Sequence, residues 1–313
     1  MKNKSVRLSK KRRKISWFNI LRLAGIILFI VIISHVDVRM IWTDIKSANI
    51  WFLLLALIFQ IFLLFTKGLR WHLLNVANDS GKLKQSLGEF LESYAIGVIT
   101  PGRLGELMKA GHQKNRENIF ASGIRVIAER GMDVGMFIFI AGIALLTTKM
   151  VMLSRVIPWL IIVVGVLIVI SSILILSSAW INRFTGRFIP NFTVTFIHRK
   201  PINIINIVGL SILSNLFYFT SCYIIAVYSL NMKLSLVEVS GGVAIAGLFN
   251  LLPITIMGLG TRELTFLYVF GPLTKNLVLA FSALMLTIAQ IGGGILALIL
   301  GQFFLYLNKK SLN

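Results

Sequence analysis

The sequence predicts an all-α polytopic membrane protein: six full spans plus two broken or re-entrant helices, eight membrane segments in all, set as an inverted repeat. Three observations predict it. The chain is 57% hydrophobic and 14% charged, whereas soluble domains carry about 25% charged residues. Six apolar runs approach or exceed the ~20 residues that a spanning helix needs. Two further apolar stretches are interrupted by proline and clustered glycine, at matching places in the two halves.

The first element is a basic tail, residues 1–16. Lys2, Lys4, Arg7, Lys10, Lys11, Arg12, Arg13 and Lys14 are unaccompanied by any acid and lead directly into an apolar run. A net charge of +21 could indicate nucleic acid, but this placement is what the positive-inside rule expects of a cytoplasmic tail. No nucleic-acid partner is expected. The tail also suits anionic lipid headgroups, at about 1 kcal/mol per basic residue near the surface.

The six runs are 17–36, 50–71, 132–148, 156–178, 204–230 and 277–307. The first has no small-x-small cleavage site in its Ile33–Asp37 exit, so it reads as a retained span. The third is short unless its charged approach from Ser122 also enters the membrane. Loop charges give the orientation. Residues 37–49 balance Asp37 and Asp44 against Arg39 and Lys46 and fit the outside. Lys67, Arg70, Lys82 and Lys84 read as a return to the cytoplasm, as do the basic residues of 109–130. Arg183, Arg187, Arg199 and Lys200 do the same, and Lys309 and Lys310 place the C-terminus inside. The result is a multi-pass protein of the cytoplasmic membrane with both termini cytoplasmic.

The broken stretches are 87–110 and 237–270. The first contains Pro101, Gly102, Arg103, Gly105 and Glu106; the second contains Pro253, Gly258, Gly260, Arg262 and Glu263. Each places a proline, then glycines, then an arginine and a glutamate after a helix rich in small residues. Three spans accompany each break, so the halves 17–155 and 156–308 are reversed in the membrane, followed by a short tail, 309–313. Broken helices in matching positions mark the binding site of inverted-repeat transporters. A half-helix N-terminus carries roughly half a positive charge, its free N–H groups hold anions, and Arg103 adds a planar donor fork for phosphate or carboxylate. A polar turn at the membrane surface is the plainer reading of the same residues.

Arg125, Glu129 and Asp133 recur at helical spacing, with Arg130 beside Glu129. Ionisable residues entering a membrane helix face the protein interior and pair. Pairs Arg125–Glu129 and Arg130–Asp133 are sterically available, as a charge relay or gate or as an ion-pair staple. Cys222 stands alone and the four histidines are scattered, so no disulfide, metal or cofactor is expected. No nucleophile triad or phosphate loop supports catalysis.

TPGRLGELMKA (100–110), RVIAERGMDV (125–134) and LLPITIMGLGTRE (251–263) together resemble the signature blocks of the lysylphosphatidylglycerol synthase transmembrane-region family. The resemblance implies a flippase-like domain that translocates an anionic or aminoacylated phospholipid, or a related lipid-linked substrate. Its implied site residues are Pro101, Gly102, Arg103, Gly105, Glu106, Glu129, Arg130, Asp133, Pro253, Gly258, Gly260, Arg262 and Glu263. Bifunctional relatives carry a soluble synthase domain after the membrane part. The chain ends at Asn313, so that domain is expected to be absent and the chain is expected not to be an enzyme. Membrane lipids are the implied partners. The alternative is a non-transporting membrane partner of a glycosyltransferase or envelope-lipid synthase.

Overall fold

The computed structural model describes residues 29–34, 37–76, 83–111, 116–148, 154, 156–177, 201–251, 255, 257–271 and 273–310. The basic tail, most of the first predicted run, the 183–200 loop and Pro253 lie outside them. All regular structure among the described residues is helical.

Helix α1, Val38–Ser47, forms where the sequence suggested only a balanced loop. Asp37 caps it, its carboxylate accepting a 2.8 Å bond from the Arg39 N–H, and this satisfies one of the free donors of a first turn. Helix α2, Ile50–Val76, runs beyond the predicted span and carries Lys67 and Arg70 inside the helix rather than in a loop. Helix α3, Leu83–Ile99, ends at the first break. Helix α4, Arg116–Thr147, absorbs the whole charged approach as well as the apolar run. Helices α5, Val156–Ser177, and α6, Pro201–Tyr223, follow, the latter continuing as a π-helical turn, Ile224–Ser229. Helix α7, Leu236–Leu251, precedes the second break and α8, Thr261–Val269, follows it. Helix α9, Lys275–Leu284, passes through a π-helical stretch, Met285–Gly292, into α10, Gly293–Lys310.

Among the described residues, five stretches are long and apolar enough to cross a bilayer: Ile50–Asn75, Ser122–Thr147, Val156–Leu176, Ile204–Ser229 and Lys275–Lys309. They correspond to the second through sixth predicted runs. Their outward faces remain apolar: Trp159, Val163, Leu167 and Ile170 of α5 are all exposed, a surface that lipid covers more readily than water.

Helix α2 packs along α6, α3 along α10, α4 along both α5 and α7. In lipid there is no hydrophobic drive between helices, so small residues that allow close approach take its place. A Cβ on Gly165 would lie 2.7 Å from the Phe139 nitrogen and 2.8 Å from the Gly135 carbonyl oxygen. Both obstacles are backbone. Gly165→Leu is therefore expected to force α4 and α5 apart and to lower the melting temperature in detergent, at a cost of about 1–3 kcal/mol. Polar side chains supply a second tie: Gln60 donates to Ser221 at 3.0 Å, and Ser221 donates to the Ala56 carbonyl at 2.9 Å, joining α2 to α6.

Candidate functional site

The first break is built from Thr100 onward. Its 3-10 stretch, Pro101–Leu107, contains two consecutive left-handed residues, Gly102 at φ 59° and Arg103 at φ 54°. Glycine adopts this conformation freely, but an arginine there costs about 1–2 kcal/mol. Surrounding bonds hold it. The Arg103 N–H donates to the Thr100 carbonyl at 3.0 Å, the Gly105 N–H donates to the Thr100 hydroxyl at 2.8 Å, and Arg130 Nη2 donates to the Arg103 carbonyl at 3.0 Å. Arg130 also pairs with Glu106 at 2.9 Å. The chain then turns back against α3, and the glycine spacing is what permits it: a Cβ on Gly105 would lie 2.7 Å from the Ile96 carbonyl carbon and 2.8 Å from the Gly97 nitrogen. Gly105→Ala is expected to displace this hairpin and to speed its cleavage in limited proteolysis. Gly111→Ala, where a Cβ meets nothing within 4 Å, is the control expected to leave cleavage unchanged.

The sequence assigned anion binding partly to a half-helix N-terminus. The structure places only the seven-residue 3-10 stretch and a four-residue helix, Met108–Gly111, after the break. So short an element carries little macrodipole, and two of the break's N–H groups, those of Arg103 and Gly105, are already bonded. The positive charge at this place comes from the guanidinium.

Beside the break lies a cavity of about 70 Å³ that reaches both halves of the chain. Lys67, Tyr94, Arg103, Arg130 and Asp133 line it from the first half; Asn215, Tyr218, Asn250 and Gln290 line it from the second. Its cations differ in how far they are neutralised. Lys67 bonds Asp133 at 2.7 Å, and Arg130 is committed to Glu106 and the Arg103 carbonyl. Arg103 meets Glu106 only at 3.7 Å, with 27% of its side chain exposed, and lies over the Tyr94 ring at 5.5 Å. It is the least compensated charge of the cavity.

Running inward from the cavity wall, α4 and α2 share a largely buried ion network, and its pairing differs from the sequence reading. Glu129 pairs with Arg70 at 2.8 Å and with Lys109; Asp133 pairs with Arg70 at 2.7 Å and with Lys67. Arg130 turns to Glu106 rather than Asp133. Arg125 does not reach Glu129; its Nη1 makes a 3.3 Å bond to the Asn75 side chain and its Nη2 has no partner among the described residues. The neighbouring-turn pairs lose because the opposing helix offers cations that lie closer and bond from two directions. Lys67, Arg70 and Lys109 are thus the members of the network that the sequence reading placed with cytoplasmic charges. The signal for them was the spacing of Lys67 and Arg70, one turn apart at the end of an apolar run, opposite a chain with only 11 acids.

The second break contains Met257, Gly258 and Gly260 at positive φ. Its Arg262 and Glu263 bond to each other and to Ser282, with Arg262 Nη1 left without a partner among the described residues. They pair with each other, Arg262 Nε donates to Ser282 at 2.8 Å, Ser282 donates to Glu263 at 2.7 Å, and the Gly260 N–H donates to Glu263 at 2.7 Å. Arg262 is buried beside a separate apolar cavity with Leu279 and Leu286. The two arginines that the sequence aligned therefore face different cavities. What the second break brings to the Arg103 cavity is Asn250, at the end of α7. A Cβ on Gly258 would lie 2.0 Å from Asn250 Oδ1, so that glycine is what lets the chain pass over the asparagine.

Comparison with protein families finds a model, described as lysylphosphatidylglycerol synthase TM region, matching residues 18–301. Comparison with curated proteins finds no match.

Proposed function

The chain belongs to the lysylphosphatidylglycerol synthase transmembrane-region family, and on that premise we propose that it is a flippase-like protein that moves a lipid with an anionic headgroup across the cytoplasmic membrane. The observation that carries this is the under-neutralised Arg103 guanidinium, presented by a left-handed helix break to a cavity lined by both halves of the chain. A guanidinium fork suits a phosphate or carboxylate bidentately. The cavity is small, with room for a few waters, so translocation requires it to widen alternately toward the two leaflets.

The inverted repeat belongs to the same proposal. Exchanging the halves maps α2 onto α6, α3 onto α7, and α4 onto α9–α10. The observed packings respect that exchange: α3 lies on α10 as α7 lies on α4, and α2 lies on α6. Rocking of one half against the other then gives alternating access. In this reading the broken helices contribute unequally. Arg103 receives the headgroup, and Arg262 and Glu263 lock the second break.

The test is reconstitution of the purified protein into phosphatidylcholine vesicles doped with headgroup-labelled phosphatidylglycerol, followed by bleaching of the outer leaflet. The proposal expects the protected inner-leaflet fraction to become bleachable faster than in protein-free vesicles. An unchanged protected fraction, together with co-purification of a glycosyltransferase or lipid synthase, would instead make the chain that enzyme's membrane partner.

A further inference from the structure

The hairpin that carries Arg103 is tied to α4 by two ion pairs, Lys109–Glu129 and Arg130–Glu106. Lys109 sits just past the break, on the short helix Met108–Gly111, so any outward movement of the hairpin about Gly102 and Arg103 withdraws it from Glu129. Glu129 would then keep only Arg70 and lose half its compensation in a buried place, which is strongly unfavourable. One turn earlier on α4 lies Arg125. It is 2% exposed, it has no acidic partner among the described residues, its bond to Asn75 is long at 3.3 Å, and its Nη2 is unbonded. Residues four apart on a helix are neighbours within reach of each other.

We propose that Arg125 is a reserve partner that takes Glu129 over when Lys109 leaves, making the hairpin a two-position gate. In the closed position Lys109 holds Glu129 and Arg125 waits, under-bonded. In the open position Arg125 swings onto Glu129 and the freed lysine follows the hairpin outward. The closed position leaves Arg125 short of a partner and the open position takes Lys109 from its own, so neither is overwhelmingly preferred, as a reversible gate requires. The gate needs no lipid, and it stands or falls separately from the headgroup reading.

The experiment is a spin-label distance measurement in phosphatidylcholine nanodiscs. Labels go on Gly111→Cys, at the end of the hairpin, and Ile127→Cys, on the exposed face of α4, in a Cys222→Ala background. Two distances are expected, the longer one gaining population in Lys109→Met. Arg125→Gln should reduce the longer-distance population about fivefold or more, and should have no effect when Glu129→Gln is also present. An equal effect of Arg125→Gln with and without Glu129 would mean only that a buried charge has been removed, and would overturn the proposal. So would a distance that Lys109→Met leaves unchanged. If Glu129→Gln fails to fold, Arg125→Lys decides: a lysine there still reaches Glu129 and should keep the longer distance, and loss of that distance as in Arg125→Gln overturns the handover.

Discussion

Arg103→Ala is expected to slow headgroup translocation by about tenfold to a hundredfold while leaving the melting temperature near the wild-type value. The rate effect follows from losing a charge-assisted contact, worth about 1.5–3 kcal/mol, where each 1.4 kcal/mol is about tenfold. The small stability effect follows from how little of the fold depends on the guanidinium. It is partly exposed, its approach to Glu106 is 3.7 Å, and Arg130 still bonds both Glu106 and the residue-103 carbonyl. Arg103→Lys should recover only part of the rate, because an ammonium keeps the charge and loses the fork. Vesicle bleaching and thermal unfolding in detergent, run on the same preparations, separate the two effects.

Arg70→Met has the opposite signature. Arg70 is 0% exposed and is the joint of the buried network, bonding Asp133 at 2.7 and 3.1 Å, Glu129 at 2.8 Å and Ser211 at 2.9 Å. It ties α2 to α4 and to α6 at once. Removing it leaves the buried Glu129 and the partly exposed Asp133 with one cation each, and breaking a buried pair costs about 3–5 kcal/mol. The expected result is a large fall in melting temperature, or loss of a monodisperse peak on size exclusion. Arg70→Lys should rescue poorly, since one ammonium cannot span Asp133, Glu129 and Ser211 together. A wild-type melting temperature in Arg70→Met would remove this network from the account of the fold.

Hydropathy made the spanning helices legible, because a run such as that of α5 has no other solvent than lipid. It located the first break for the same reason: Pro101 and Gly102 in an apolar context demand a structural explanation. It misplaced Lys67 and Arg70, since a positive residue at the end of an apolar run reads equally as a loop charge or as a buried partner. What decides between them is an acid on another helix more than 60 residues away, as the Arg70–Asp133 separation of 63 shows. Pairing by helical spacing failed for the same reason at Arg125 and Arg130. Helix α1 was missed because its charges balance, which is a topological signal, whereas its Asp37 cap is a local one. The alignment of Arg103 with Arg262 was visible in the sequence, but the side chains' opposite destinations depend on Ser282 of α9, which no motif announces.

On the proposed function, Arg103 touches the anionic head of the transported lipid. A dipolar-recoupling experiment between nitrogen-labelled arginine guanidinium and lipid phosphorus, on protein in phosphatidylglycerol bilayers, tests it most directly. A close guanidinium–phosphorus contact from Arg103, as N–H···O bonds of about 2.7–2.9 Å impose, is expected on top of the background from the tail's Arg7, Arg12 and Arg13, so the signal falls in Arg103→Ala. A contact that survives unchanged in Arg103→Ala, or none in a wild-type sample that translocates lipid, would contradict it.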